Sequence, residues 1–443
     1  MDKTILPHRF SGTVRVPASK SHTIRALLLA AAAEGVSRLE YPLDSLDTRS
    51  CMAACRAFGA NIEEVAAADG VLRGLVVTGN PPEKWDGAAK TIDVGNSGTT
   101  LFFGLAFAAL GHGAVTFTGD DQIANRSAAP LLDALSALGA EVVSRNGCAP
   151  ITVRGPLCGG RVVLPCPTSQ YLSALLLALP LCPAGVTAEI NIPLLNELPY
   201  IKMTLAYLRK YLADGRMNGA SGSSGIAGVT LPATGQGQWA VPATIAIRGG
   251  NCYRAFNAGV TGDFSSAAFP ACAGAVSGGE VQLEGLDFDD EQGDKVFFDL
   301  LAKAGKGAPL APLGVVDLNA MPDLLPIAAV LACYGAGESR LVNVAHARIK
   351  ETDRIAVMCE ELSKLGADIA ELPDGLVIRG GKKLRGGHVD GRRDHRIVMA
   401  LAVAALGADG PVTIAGAEAA DVTYPGFLHL LQPTCRGGEA GAA

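Results

Sequence analysis

A chain of 443 residues with 49% hydrophobic and 18% charged residues exceeds what one hydrophobic core organises, and predicts two domains of roughly 200 residues each. Its net charge of −6 argues against a nucleic-acid surface, so any basic cluster is expected to serve a small anion. No apolar run reaches the roughly 18 residues of a membrane span. The longest are broken at Pro180 and Pro183 or at Gly335 and Gly337, and Met1-Asp2-Lys3-Thr4 leads straight into strand-like sequence. A cytoplasmic protein that engages neither membrane nor nucleic acid is expected.

Eleven cysteines, none in CxxC spacing, read as core thiols rather than a disulfide framework. Cys51 and Cys55 share a helix face but lack His or Cys partners nearby, so no metal is expected.

In chain order, one design recurs. Six times a small or polar residue opens a long apolar helix ending near glycine: Ser21 to Gly35, Gly98 to Gly111, Ser169 to Gly185, Asp263 to Gly274, Asp323 to Gly335 and Asp394 to Gly407. Helices apolar all round are buried all round. Amphipathic helices fall between them: Cys51 to Gly59, Leu131 to Gly139, Thr204 to Gly215, Phe297 to Gly305 and Met358 to Gly366. Each has one polar face and a glycine just past its end. Alternating strand sequence follows, as in Glu141-Val142-Val143 and Asp368-Ile369-Ala370. The repeat reads strand, buried helix, strand, amphipathic helix, two strands, with three units per domain. Gly215 to Gly250, rich in Gly, Ala and Ser, breaks the rhythm and is read as a mobile loop near a domain boundary.

Chemistry gathers at the starts of the buried helices. These carry Ser19-Lys20-Ser21-His22 with Arg25, Gly95-Asn96-Ser97-Gly98-Thr99, Pro167-Thr168-Ser169-Gln170, Asp263 with Ser265, Pro322-Asp323, and Arg392-Arg393-Asp394-His395-Arg396. One such residue alone reads as a helix cap. Several helix N-termini lined by Lys20, Arg25 and Arg396 read as a site for a ligand with more than one anionic group. His346 to Arg354 adds to it: five of nine side chains are charged. Capping by Thr352 or Asp353 would set Lys350, Glu351 and Arg354 around one more helix N-terminus. No Walker A or GxGxxG motif is present, so a bound nucleotide is not indicated.

Taken together, Ser19-Lys20-Ser21 with Arg25, Gly95-Asn96-Ser97-Gly98-Thr99, Ser169-Gln170, Pro322-Asp323, Arg348-Ile349-Lys350-Glu351-Thr352-Asp353-Arg354 and Asp394-His395-Arg396 resemble the 5-enolpyruvylshikimate-3-phosphate synthases, over essentially the whole chain. The resemblance implies an α/β protein with the two-domain enolpyruvyl-transferase fold, an inside-out α/β barrel of three βαβαββ units per domain, six in all. Residues 18–255 would form one domain, and 1–17 plus 256–443 the other, with the active site in the cleft between them. It implies transfer of the enolpyruvyl group of phosphoenolpyruvate to the 5-hydroxyl of shikimate 3-phosphate, a step of the shikimate pathway toward aromatic amino acids. No cofactor and a monomer are implied, with small anionic substrates as the partners. By resemblance, Lys20, Ser21, Arg25, Thr168, Ser169, Gln170, Tyr200, Asp323, His346 and Lys350 would hold shikimate 3-phosphate. Lys20, Asn96, Gly98, Arg126, Gln170, Arg354 and Arg396 would hold phosphoenolpyruvate. Asp323 matches the base for the 5-hydroxyl and Glu351 the acid at the methylene carbon, with Lys20 and His395 completing the catalytic set.

Four positions depart from the family pattern. Leu101-Phe102-Phe103 stands where an arginine is usual, and Val422, in Asp421-Val422-Thr423-Tyr424-Pro425, where a lysine is expected on phosphoenolpyruvate. Glu197 stands where a serine would meet the shikimate phosphate, and His346 where an asparagine is frequent. One lost charge-assisted hydrogen bond costs about 1.5–3 kcal/mol, roughly 10- to 150-fold. The expectation is a transferase with a weakened or altered anion site that binds glyphosate poorly, the alternative being a non-catalytic or altered-substrate paralogue. A sister transferase acting on a UDP-sugar would carry a cysteine in the loop Gly119 to Arg126, and none is there.

Overall fold

The computed structural model describes residues 1–433 except 69, 215–225, 233, 236, 237, 240 and 306–308. It separates into two compact units, Met1–Ala18 with Thr261–Ala443, and Ser19–Val260. The strand Asn257–Gly259 runs parallel to Val36–Glu40, so its hydrogen bonds place it in the second of these. Much of the expected loop from Gly215 lies outside the described residues. Ala243–Arg248, at its far end, is an integral strand paired along its whole length with Thr187–Ile192.

The six apolar helices form as Lys20–Ala32, Gly98–Ala108, Ser169–Ala178, Phe264–Ser277, Leu325–Tyr334 and His395–Leu406. Five of them are covered on nearly every side, Leu27 to Ala33 and Ile397 to Leu406 without a gap, while Phe264–Ser277 leaves Ala271, Ala275 and Val276 half-buried. A helix with no polar face has no other stable place, since each exposed Leu or Ile would forfeit about 1.5–3 kcal/mol of burial. The amphipathic helices behave differently. In Leu46–Ala57, Cys51, Met52 and Cys55 point inward while Arg49 and Arg56 stay in solvent. Gly59 and Gly366 explain the shared endings: at φ 93° and 84° they let the amides of Ala60 and Ala367 reach back to Cys55 and Leu362, a reversal costly for any residue with a Cβ.

Four sheets share one order. Lys90–Asp93, Val115–Thr118, Cys148–Arg154 and Glu141–Arg145 lie side by side, a parallel pair followed by an antiparallel hairpin. The sheets containing Leu39, Ile190 and Leu341 repeat it. The unit Met1–Ala18 with Thr261–Ala443 is less regular. Gly387–Asp390 and Val412–Ala415 are closed by the single strand Lys3–Ile5. Gly12–Arg15 and Val281–Glu284 pair only with each other among the described residues. After Phe297–Ala304 the chain reaches the next sheet at Gly314. An open groove of about 1180 Å³ lies there, bordered by Ala271, Gly274, Leu283, Phe298 and Leu301. Each unit has its own core, one from Ile24 to Phe256 and one centred on Leu324–Cys333 and Ile397–Leu406.

Candidate active site

The residues singled out from sequence fall into two sets, one in each unit. In Ser19–Val260 they stand at the starts of three buried helices, except Arg126 in the loop after Ile123–Asn125 and Tyr200 in the first turn of Leu198–Tyr211. Ser19, Ser97 and Thr168 are caps in the ordinary sense, accepting from the amides of His22, Thr100 and Gln170. What surrounds the caps is less ordinary. Lys20 is paired with the buried carboxylate of Asp47 at 2.9 Å. Asn96 donates to Asp120 at 2.6 Å and also to Gln122, which fastens the helix start to the loop carrying Arg126. The Arg126 guanidinium lies against Gly98, so close that a Cβ there would collide with it. Gly98 is therefore required for the approach of a cation rather than for its own backbone.

Arg25 is 2% exposed. It donates to Thr204 Oγ1 at 2.9 Å, to the carbonyls of Ser21 at 3.0 Å and Tyr200 at 3.3 Å, and to Ser173 Oγ at 3.5 Å. Its guanidinium also sits 5.2 Å from the centre of the Phe103 ring. Every partner among the described residues is neutral. Burial accordingly pushes Arg25 down to about 10, opposed only by Tyr207 and Tyr200. A buried cation without a carboxylate is costly for the fold alone, and a ligand anion relieves that cost. At the third helix start, Thr168 and Ser169 both bond to Glu197, and the side-chain oxygen of Gln170 is buried without a hydrogen-bond partner.

The other set converges on Arg354, 1% exposed. Its Nε and Nη2 donate to Asp394 at 2.8 and 3.2 Å, Nη1 to Asp323 at 2.7 Å, and Nη2 to Glu351 at 2.5 Å. Arg396 reaches the second oxygen of Asp323 at 3.0 Å. Asp353 caps Arg354–Lys364 through the amide of Ala356, while Thr352 donates to Asp394 at 3.1 Å. Asp394 in turn caps His395–Leu406. Asp323 differs from the other helix starts: it lies in the short turn Pro322–Leu324 and caps nothing with its side chain. Burial alone would raise its carboxyl, but Arg396, Arg354 and Lys350 hold it well below the usual carboxylate range against the opposing charge of Glu351. Burial works against the Arg354 charge too, and the carboxylates of Asp394, Glu351 and Asp323 overcome it. His346 and His395 are buried nearby in sequence, at 6% and 3% exposure.

Asp47 and Asp394 were not among the expected site residues. The sequence marks Asp394 as a helix start and as part of Asp394-His395-Arg396, without a partner. Asp47 sits in a capping box, Ser45 with Thr48, and nothing in its spacing shows that it reaches Lys20. Among the described residues no group of three His, Cys, Asp or Glu is arranged to hold a metal. Cys51 and Cys55 are fully buried in the core.

A family model for EPSP synthase (3-phosphoshikimate 1-carboxyvinyltransferase) matches residues 6–431. The chain belongs to the EPSP synthase family. A 3-phosphoshikimate 1-carboxyvinyltransferase of Acetivibrio thermocellus is 45% identical over 434 residues, 95% of either chain. One of Halobacterium salinarum is 40% identical over 456 residues, covering 97% of this chain and 98% of its own. An EPSP synthase structure from Acinetobacter baumannii superposes with a TM-score of 0.73 over 97% of each chain at 24% identity. The fold is thus the two-domain inside-out α/β fold of EPSP synthases, and the chain is a transferase.

The positions that depart from the EPSP synthase pattern have plain structural settings. Phe102 is core, meeting Tyr171 edge-on at 5.1 Å. Val422 is half-buried at the end of the turn Ala417–Val422. Neither offers a positive charge.

Proposed function

We propose that the chain transfers the enolpyruvyl group of phosphoenolpyruvate to the 5-hydroxyl of shikimate 3-phosphate, releasing phosphate and 5-enolpyruvylshikimate 3-phosphate. The observation that carries this reading is the cluster in which Asp323, Glu351, Lys350, Arg354 and Arg396 meet. Addition across an enol phosphate needs a base for the hydroxyl, an acid for the methylene carbon and cations over the leaving phosphate. In this reading Asp323 takes the 5-hydroxyl proton as the oxygen bonds to C2 of phosphoenolpyruvate, and Glu351 protonates C3. The tetrahedral intermediate then expels phosphate as C3 returns a proton.

With both oxygens held by arginine, Asp323 is a weak base. Incoming phosphoenolpyruvate would draw Arg354 and Arg396 onto its own anions, and the basicity of Asp323 would rise as it does so. Lys20, Asn96, Gly98, Arg126 and Gln170 complete the proposed phosphoenolpyruvate set, and His395 the catalytic one. Ser21, Arg25, Thr168, Ser169, Tyr200 and His346 are assigned to the acceptor, with Arg25 meeting its carboxylate. The thin cation supply at Val422 and Phe102 supports weak glyphosate binding. A monomer in the cytoplasm belongs to the same reading, supported by ten described cysteines outside any disulfide.

The test is phosphate release with both substrates present. The parent is expected to turn over, and Asp323→Asn to lose about 10²- to 10⁴-fold in kcat while still binding shikimate 3-phosphate. A parent that neither turns over nor binds at millimolar substrate overturns the proposal.

A further inference from the structure

We infer that Glu197 is a built-in occupant of the anion position at the start of the helix Ser169–Ala178, and that it sets how tightly the chain takes a phosphorylated acceptor. This rests on the proposed function and adds a residue that works against substrate rather than for it.

The geometry is specific. One oxygen of Glu197, Oε2, receives the Ser169 hydroxyl at 2.7 Å, the Ser169 amide at 2.9 Å and the Thr168 hydroxyl at 3.1 Å. The residue is 1% exposed. It stands just before the helix Leu198–Tyr211, where an acidic side chain ordinarily bonds its own helix, yet it makes no such bond. Its backbone is left-handed, at φ 59°, a conformation costly for a residue with a Cβ. The turn is fixed: the Asn196 amide bonds to Cys166 at 3.1 Å and its side chain to Pro167 at 3.2 Å. Strained backbone and fixed turn together deliver a carboxylate to another helix's N-terminus.

A carboxylate oxygen and a phosphate oxygen ask the same of such donors: short charge-assisted bonds from N–H and O–H at the positive end of a helix. Three donors meeting one oxygen cannot also serve a second anion, and two anions in that space repel. Arg25 gives the contrast. It bonds the Tyr200 carbonyl, three residues beyond Glu197, and all its partners among the described residues are neutral. The acceptor's carboxylate thus has a waiting cation, while its phosphate must displace an internal carboxylate. With the turn pinned, displacement falls to rotation of the Glu197 side chain.

The experiment compares the parent with Glu197→Ser, which removes the carboxylate, and Glu197→Gln, which keeps the shape without the charge. Calorimetric titration with shikimate 3-phosphate is followed by KM measurement for both substrates, and melting curves establish folding. Both variants are expected to bind shikimate 3-phosphate at least tenfold more tightly than the parent, while KM for phosphoenolpyruvate moves less than threefold. Inorganic phosphate is expected to bind the Ser variant and compete with shikimate 3-phosphate there. A parent that binds shikimate 3-phosphate beside folded variants with unchanged or weaker affinity shows Glu197 to be only a cap, and overturns the inference alone. Failure of parent and variants alike to bind shikimate 3-phosphate overturns the proposed function, and the inference with it.

Discussion

At Asp323 two arginines decide what a carboxylate can do. Arg354 and Arg396 hold its two oxygens at 2.7 and 3.0 Å, and with Lys350 they keep it ionised well below the usual carboxylate range. The unfolded chain, with an ordinary value of about 3.9, binds that proton first as pH falls. The stability Asp323 contributes is therefore complete above about pH 4 and is lost as pH drops further toward its folded value. Urea melts of parent and Asp323→Asn are expected to differ most at neutral pH and to approach each other at pH 3 and below; a pH-independent difference would contradict the assignment. Sequence pattern placed Lys350, Glu351 and Arg354 in one charged stretch, and the resemblance added Asp323 to them. It did not show that Arg354 is already saturated by Asp323, Glu351 and Asp394, because which carboxylates reach a guanidinium depends on helix starts far apart in the chain.

The buried helix is the element that makes a site from this sequence. Apolar runs such as Leu325 to Cys333 can only be helices wrapped on all sides, so their polar ends are what remains available for chemistry. Gly98 shows how little room those ends have. Gly98→Ala improves helix propensity by up to about 1 kcal/mol, and its melting temperature is expected to hold. The added Cβ must displace Arg126, so KM for phosphoenolpyruvate is expected to rise roughly tenfold, as for one weakened charge-assisted contact. Unchanged steady-state kinetics would separate Arg126 from that substrate. The glycine endings were equally legible at Gly59, Gly139, Gly305 and Gly366, where a positive φ dictates glycine locally, but not in the helix expected from Thr204, which ends at Tyr211 and runs into the strand Leu212–Asp214. The closing hairpins were less so. The full repeat is present in four sheets and shortened in the two built on Gly12–Arg15 and Gly387–Asp390, and a short strand's partner is chosen by neighbours that periodicity does not see.

For the whole molecule, the two cores share no residues, one lying within 24–256 and the other outside it. Two cores that close independently need not melt together. Scanning calorimetry is expected to give a calorimetric enthalpy well above the van't Hoff value, and a single two-state transition would count against independent cores. The sequence by itself determined the family, the α/β class, the buried helices and the residue types gathered at their starts, because hydrophobic period, caps and glycines act over a few neighbours. Only the tertiary structure decided who neutralises whom: Asp47 on Lys20, three carboxylates on Arg354, none on Arg25, and Glu197 on the donors of Thr168 and Ser169. Those pairings join residues up to 40 positions apart. Charge pairing depends on distance in space, and distance along the chain does not report it.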